Sequence, residues 1–120
     1  MSAQAPSNTG FSIGLTTLAG KAILTPSESL TYANCEALKK TLEPICAGHA
    51  PTVILDCRAV AYLDSEALEL LVETHEKLRA LRGELRLTHV NAVCLDILTA
   101  TRLIHTLVVC DDINQAIKGG

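Results

Sequence analysis

Between Phe11 and Leu18 apolar and polar residues alternate, with Phe11, Ile13 and Leu15 on one side and Ser12, Gly14 and Thr16 on the other. A period of two predicts a half-buried strand. Ala19-Gly20-Lys21 can turn the chain into a second strand, Ala22 to Thr25, and so close an antiparallel hairpin. Pro26-Ser27-Glu28-Ser29 ends it. The period then lengthens. Cys35, Leu38, Leu42, Ile45 and Cys46 recur at helical spacing, with Lys39, Lys40 and Glu43 mostly on the other faces. The pattern predicts a helix capped by Thr31 and running to about Ala47, stopped by Gly48-His49-Ala50-Pro51.

Val53-Ile54-Leu55 is an unbroken apolar run with two β-branched residues. It predicts a central strand, Val53 to Cys57, buried on both faces. A short connection leads to a second helix that opens on Asp64, Ser65 and Glu66 and runs to about Leu81. Leu68, Leu71, Val72, His75 and Leu78 form its core stripe, and Glu73 and Lys77 pair on the wet side. His75 reads as a histidine satisfied at the edge of the core rather than as a ligand. Gly83 ends the helix. Leu85, Leu87 and His89 then alternate with Glu84, Arg86 and Thr88 in a fourth strand. Val90-Asn91-Ala92 starts a third helix carrying Val93, Leu95, Ile97 and Leu98. Leu107-Val108-Val109 is a short last strand, and Asp111 or Asp112 can cap a closing helix through Ile117. The order is ββαβαβαβα. Strands that alternate with helices favour parallel pairing through right-handed crossovers. The expected architecture is a single α/β domain over residues 11–120, with a mixed, mostly parallel sheet and an N-terminal β-hairpin. Residues 1–10, polar and small, read as a mobile tail.

Composition narrows the function. At 120 residues and 48% hydrophobic, the chain can bury one core. Aromatics are only 2%, which argues against a stacking platform for single-stranded nucleic acid. The net charge is -3 and there is no basic run, so duplex DNA lacks its electrostatic footprint as well. No apolar run is long enough for a membrane span. Cys35, Cys46, Cys57, Cys94 and Cys110 include no C-x-x-C pair and read as buried thiols of a reducing cytosol. The histidines fit no metal spacing. No cofactor is expected.

The chemistry converges on one place. A buried strand delivers Ser65 to a helix N-terminus, where free N–H groups and the positive end of the helix dipole meet. A hydroxyl there is a cap, or a point where a phosphate is well received. Asp64, Ser65 and Glu66 are neighbours along the chain, which does not supply the geometry of a triad. Leu63 and Ala67 replace both glycines of the G-x-S-x-G elbow. No P-loop or dinucleotide fingerprint occurs. The expectation is a protein that is not an enzyme. A small hydrolase using Ser65 is the rival from another class, testable by fluorophosphonate labelling.

The segment Val53-Ile54-Leu55-Asp56, then Val60-Ala61-Tyr62-Leu63-Asp64-Ser65, then a leucine-rich helix ending before Gly83, resembles the STAS domain of anti-sigma-factor antagonists. The order of elements from Phe11 to Ile117 is similar as well. The resemblance implies helices packed mainly on one face of the sheet. It implies a cytoplasmic bacterial regulator of transcription that binds an anti-sigma factor, a serine kinase of the histidine-kinase-like ATPase type, and is switched by phosphorylation of Ser65. Asp64, Ser65, Glu66, Leu68 and Thr31 would form the partner-binding face. Glu66 and Ala67 stand where the family usually has a small Ser or Thr and then Gly. Thr31 stands where it often has an Asp. The alternative that the resemblance leaves open is a cytoplasmic subunit of a lipid-transport ABC system, gripping its ATPase by the same face without phosphorylation.

Overall fold

The computed structural model describes residues 11–47 and 51–118. The expected tail at 1–10, the helix stop at 48–50 and the last two residues lie outside them. The strands are β1 (Ile13–Leu18), β2 (Lys21–Pro26), β3 (Thr52–Asp56), β4 (Glu84–Thr88) and β5 (Val108–Cys110). The helices are α1 (Cys35–Cys46), α2 (Ser65–Ala80), α3 (Ala92–Ala100) and α4 (Ile113–Lys118), with a 3-10 turn at Leu103–His105 that the sequence pattern did not announce. The sheet order is β1-β2-β3-β4-β5. Only the hairpin pair is antiparallel. The expected order ββαβαβαβα and the central place of β3 both hold.

From β2 to β5 the side chains alternate between two covered faces. Leu24, Val53, Leu55, Leu85 and Leu87 join the main core beneath α1, α2 and α3. Ile23, Ile54 and Cys110 point the other way, to Ala116 of α4. The unbroken run Val53-Ile54-Leu55 follows from this, because both sides of β3 are dry. Helices therefore pack mainly on one face, with α4 alone on the other.

Turn residues do what their backbone angles demand. Ala19 and Gly20 have φ of 53° and 78°, the doubly left-handed loop that matches the twist of a two-residue hairpin. After α2, Arg82 turns left-handed (φ 71°) and Gly83 N donates to Leu78 O. A Cβ on Gly83 would sit 1.6 Å from the Pro51 carbonyl oxygen, so only glycine fits there.

Some expectations are corrected. In β1 only Ile13 is partly covered; the rest of the strand is exposed on both faces because no described element packs over the sheet edge. The last strand begins at Val108, and Leu107 is buried just before it. Thr31 does not cap α1. Its hydroxyl accepts from Ala33 N at 3.2 Å in a turn that precedes the helix, and α1 starts at Cys35. His75 is buried and its Nδ1 accepts from Leu85 N, as a core-edge histidine should. All five cysteines are free thiols. No helix among the described residues is long and apolar enough to cross a membrane.

Candidate functional site

Two loops meet at the start of α2. The first joins β2 to α1 and the second joins β3 to α2. Leu30 and Leu63 pair in a single parallel bridge, and Asp64 N donates to Leu30 O. Ser29 Oγ accepts from both Ala61 N and Tyr62 N, each at 3.0 Å. Asn34 steadies the first loop, taking Thr31 N on its Oδ1 and donating Nδ2 to Ser29 O. On the other side Asn91 donates to Val60 O and Ala61 O, while its Oδ1 caps α3 at Cys94 N. The loop before α2 is thus held from both flanks.

Asp64 is the joint. One carboxylate oxygen accepts from Ala67 N at 2.9 Å and caps α2; the other accepts from Tyr32 N at 2.7 Å. Ser65 follows as the first helical residue. It is exposed, and its hydroxyl has no hydrogen-bond partner among the described residues. The backbone N–H groups of Ser65 and Glu66 are likewise open, since the cap takes only Ala67 N. A free hydroxyl beside free amides at a positive helix end is electrostatically suited to an anionic group.

Ser65 and Glu66 face different ways. Ser65 lies in a shallow groove of about 450 Å³ with Leu68, Val72, Thr101 and Leu103, rimmed by Glu69 and Glu73. Glu66 lines the neighbouring cleft toward α1, with Cys35, Glu36 and Lys39, across the shared ridge of Glu69 and Glu73. Burial, with the Asp64 and Glu66 carboxylates, pushes the Cys35 thiol up to about 11. Leu68 is only 8% exposed and belongs to the core. It floors the groove and presents little area of its own. The hydrogen bond to Asp64 comes from the backbone N–H of Tyr32, the neighbour of Thr31. So the structure brings Asp64, Ser65 and the Thr31–Tyr32 turn together, turns Glu66 aside, and sinks Leu68.

A family model for the STAS domain matches residues 12–116. The chain belongs to the STAS domain family. No sequence among curated proteins matches it. Among solved structures, a candidate anti-sigma factor antagonist of Thermotoga maritima superposes with a TM-score of 0.83 at 21% identity, over 89% of this chain and 92% of its own. An anti-sigma factor antagonist of Mycobacterium paratuberculosis gives 0.82 at 19%, over 96% and 97%. The anti-sigma factor antagonist SpoIIAA in its unphosphorylated form gives 0.66 at 14%, over 88% and 92%. At these identities the likeness is one of fold.

Within this STAS domain, Ala67 lies in the first turn of α2. It is 1% exposed, so a small side chain fits and a larger one would collide. Sequence reading missed the residues that build the platform: the Ser29 and Asn91 bonds span loops distant along the chain, and Asn34 bonds locally in a turn that carries no periodic signal. It also missed the tyrosines. The chain has two, and both sit exposed on the two joined loops, Tyr32 at 77% and Tyr62 at 51%. In so aromatic-poor a chain, two loop tyrosines outside any apolar stripe were a legible signal of a contact surface. No group of three or more His, Cys, Asp or Glu among the described residues could hold a metal ion. No histidine or carboxylate among them bonds the Ser65 hydroxyl as a base would.

Proposed function

We propose that this STAS domain is an anti-sigma-factor antagonist that acts by protein–protein contact, without catalysis. Its docking face is the surface around Ser65, with Tyr32, Tyr62 and the groove toward Leu103. Phosphorylation of Ser65 by the anti-sigma factor, a serine kinase of the histidine-kinase-like ATPase type, is the switch. The observation that carries the reading is the state of Ser65: first in α2, exposed, and without a hydrogen-bond partner among the described residues, while neighbouring Asp64 does the capping. In many helices a serine before the first turn is spent as the cap. Here it is spare.

A phosphate at Ser65 adds about -1.5 to -2 charge to the face that a partner must cover. The open amides can donate to it, so the domain keeps its fold while the surface becomes more negative. Glu69 and Glu73 on the groove rim add to the same negative field. Glu66 points into the other cleft and supports the helix dipole. On this reading Glu66→Ser changes phosphorylation rate by less than about twofold, whereas Glu69→Ser speeds it.

The test uses wild type, Ser65→Ala and Ser65→Asp in extract of the source cells with ATP. Wild type should gain one phosphate, mapped to Ser65, and should capture a kinase-like ATPase that Ser65→Asp does not. Equal capture by wild type and Ser65→Asp, with no phosphate on Ser65, would sink the switch. If the captured ATPase belonged to a transporter, the docking face would stand and the lipid-transport alternative would replace the sigma-factor pathway.

A further inference from the structure

We propose that β1 is a self-pairing edge through which two copies of this chain form one continuous sheet. Three features of β1 carry the inference. First, β1 ends the sheet, and no described strand pairs with its outer side. Second, it lacks the devices that usually blunt an edge. Ile13-Gly14-Leu15-Thr16-Thr17-Leu18 contains no charge and no proline, its register with β2 runs without a bulge, and no charged residue precedes Lys21 anywhere in the chain. Leu15 and Leu18 are 55% and 49% exposed on it.

Third, the hydrogen-bond phase suits a two-fold axis. Ser27 N donates to Ser12 O at 2.9 Å, and Ile13 stands opposite Pro26. Hydrogen-bonded and open pairs alternate along an antiparallel ladder. Gly14, Thr16 and Leu18 therefore turn their amides toward β2, and Ile13, Leu15 and Thr17 turn theirs outward. A dyad normal to the sheet at Leu15 places Leu15 opposite Leu15 of the second copy and Ile13 opposite its Thr17. Every residue so matched is an outward-bonding one, so each pair exchanges two N–H···O=C bonds. Leu15 shares a sheet face with Ile13, which packs against the main core. The Leu15–Leu15 contact would extend that core across the junction. A chain of net charge -3 meets its copy here with no like charges opposed. The occupant is a second copy because the same short strand supplies both halves of the match, as an isologous interface requires.

The experiment is sedimentation equilibrium of the full chain over a concentration series, with Leu15→Lys and Leu15→Pro. Wild type should rise from 12.8 kDa to twice that mass as concentration increases. Leu15→Lys puts two like charges on the dyad and should stay monomeric. Leu15→Pro deletes an N–H that β2 does not use, so it should also stay monomeric, with circular dichroism and Tm near wild type. Thr16→Pro, which deletes an N–H that β2 does use, should lower Tm and so confirm the phase. A wild type that remains at 12.8 kDa to millimolar concentration overturns the proposal, as does a dimer that survives both Leu15 variants. So does hydrogen-exchange protection of the Leu15 amide that is independent of concentration, which would mean that the chain covers its own edge.

Discussion

The two faces of the sheet are covered by different chemistry. Beneath α1, α2 and α3 the strands present Leu24, Val53, Leu55, Leu85 and Leu87, and the helices answer with leucines. Beneath α4 the apolar set is small, Ile23, Ile54, Cys110 and Ala116. There the strands also carry polar groups. Arg86 is buried, bonded through Nε to Glu84 at 2.6 Å and through its guanidinium to the Ala116 carbonyl. Asp56 is buried and holds His89 at 2.9 Å and Arg58 at 3.0 Å. Thr88 is fully buried, and its hydroxyl has no hydrogen-bond partner among the described residues. The broad face rests on area, so its contacts tolerate small shifts. The α4 face rests on directed bonds, which hold one geometry or fail. A short helix covers too little area to do otherwise.

The largest break in this contrast comes at its centre. Ile54→Asp places an unpaired charge in the dry layer under α4 and should abolish folding, since the cost is on the order of a small domain's whole stability of ~5–15 kcal/mol. A cooperative thermal transition near that of wild type would show β3 to be open on that side. Next come matched deletions on the two faces. Leu55→Ala should cost about 2–5 kcal/mol by cavity formation. Arg86→Ala should cost about 2–3 kcal/mol, because it strips the Ala116 carbonyl and Glu84 of a charged donor. Denaturant titration separates them further if Arg86→Met recovers none of the loss, since packing alone cannot replace the bonds.

The helix caps give a smaller comparison. Asp64 binds Ala67 N and Tyr32 N, whereas Asp112 binds only Gln115 N at α4. Asp64→Ala should lower stability by about 1–2 kcal/mol and Asp112→Ala by about 0.5–1. Equal losses would mean that the Tyr32 bond contributes nothing.

Acid should act on the two faces in separate windows. Burial, aided by the Arg79 charge, pushes the His75 imidazole below its ordinary 6.5. The unfolded chain then binds the extra proton, so stability from the broad face falls as pH drops below about 6.5. Burial alone would raise the Asp56 carboxyl, but hydrogen bonds from His89 and Arg58 outweigh it and hold it below the usual 3.8. That contribution is present above the ordinary carboxylate range and is lost only at lower pH, below about 4. His75→Leu should flatten the Tm profile between pH 7.5 and 5.5, and Asp56→Asn only the arm below about 4. The smallest effect is chemical. With its thiol pushed up to about 11, Cys35 should alkylate at pH 8 about a hundredfold more slowly than an ordinary thiol. Glu66→Gln should quicken it; no change would mean that Glu66 does not face the α1 cleft.

Residue order alone determined the elements and several of their ends. Periodicity located every strand and the long helices. Asp112 was readable as a cap because a capping side chain bonds only two or three residues ahead. Ser65 was readable too, since a polar triplet after a buried strand marks a helix start. The tertiary structure decided what covers each face. Periodicity tells which side of a strand is apolar, not that Arg86 and Thr88 lie beneath α4 rather than in water. It decided that Asp64 reaches Tyr32, 32 residues away, and that Thr31 serves a turn instead of a cap. It also sent Glu66 and Ser65 into different grooves, because successive helical residues diverge by about 100° and only packed neighbours give those directions meaning. Local bonds are written in the spacing of the chain. Bonds across loops exist only once the crossovers bring Leu30 beside Leu63, and no spacing records that.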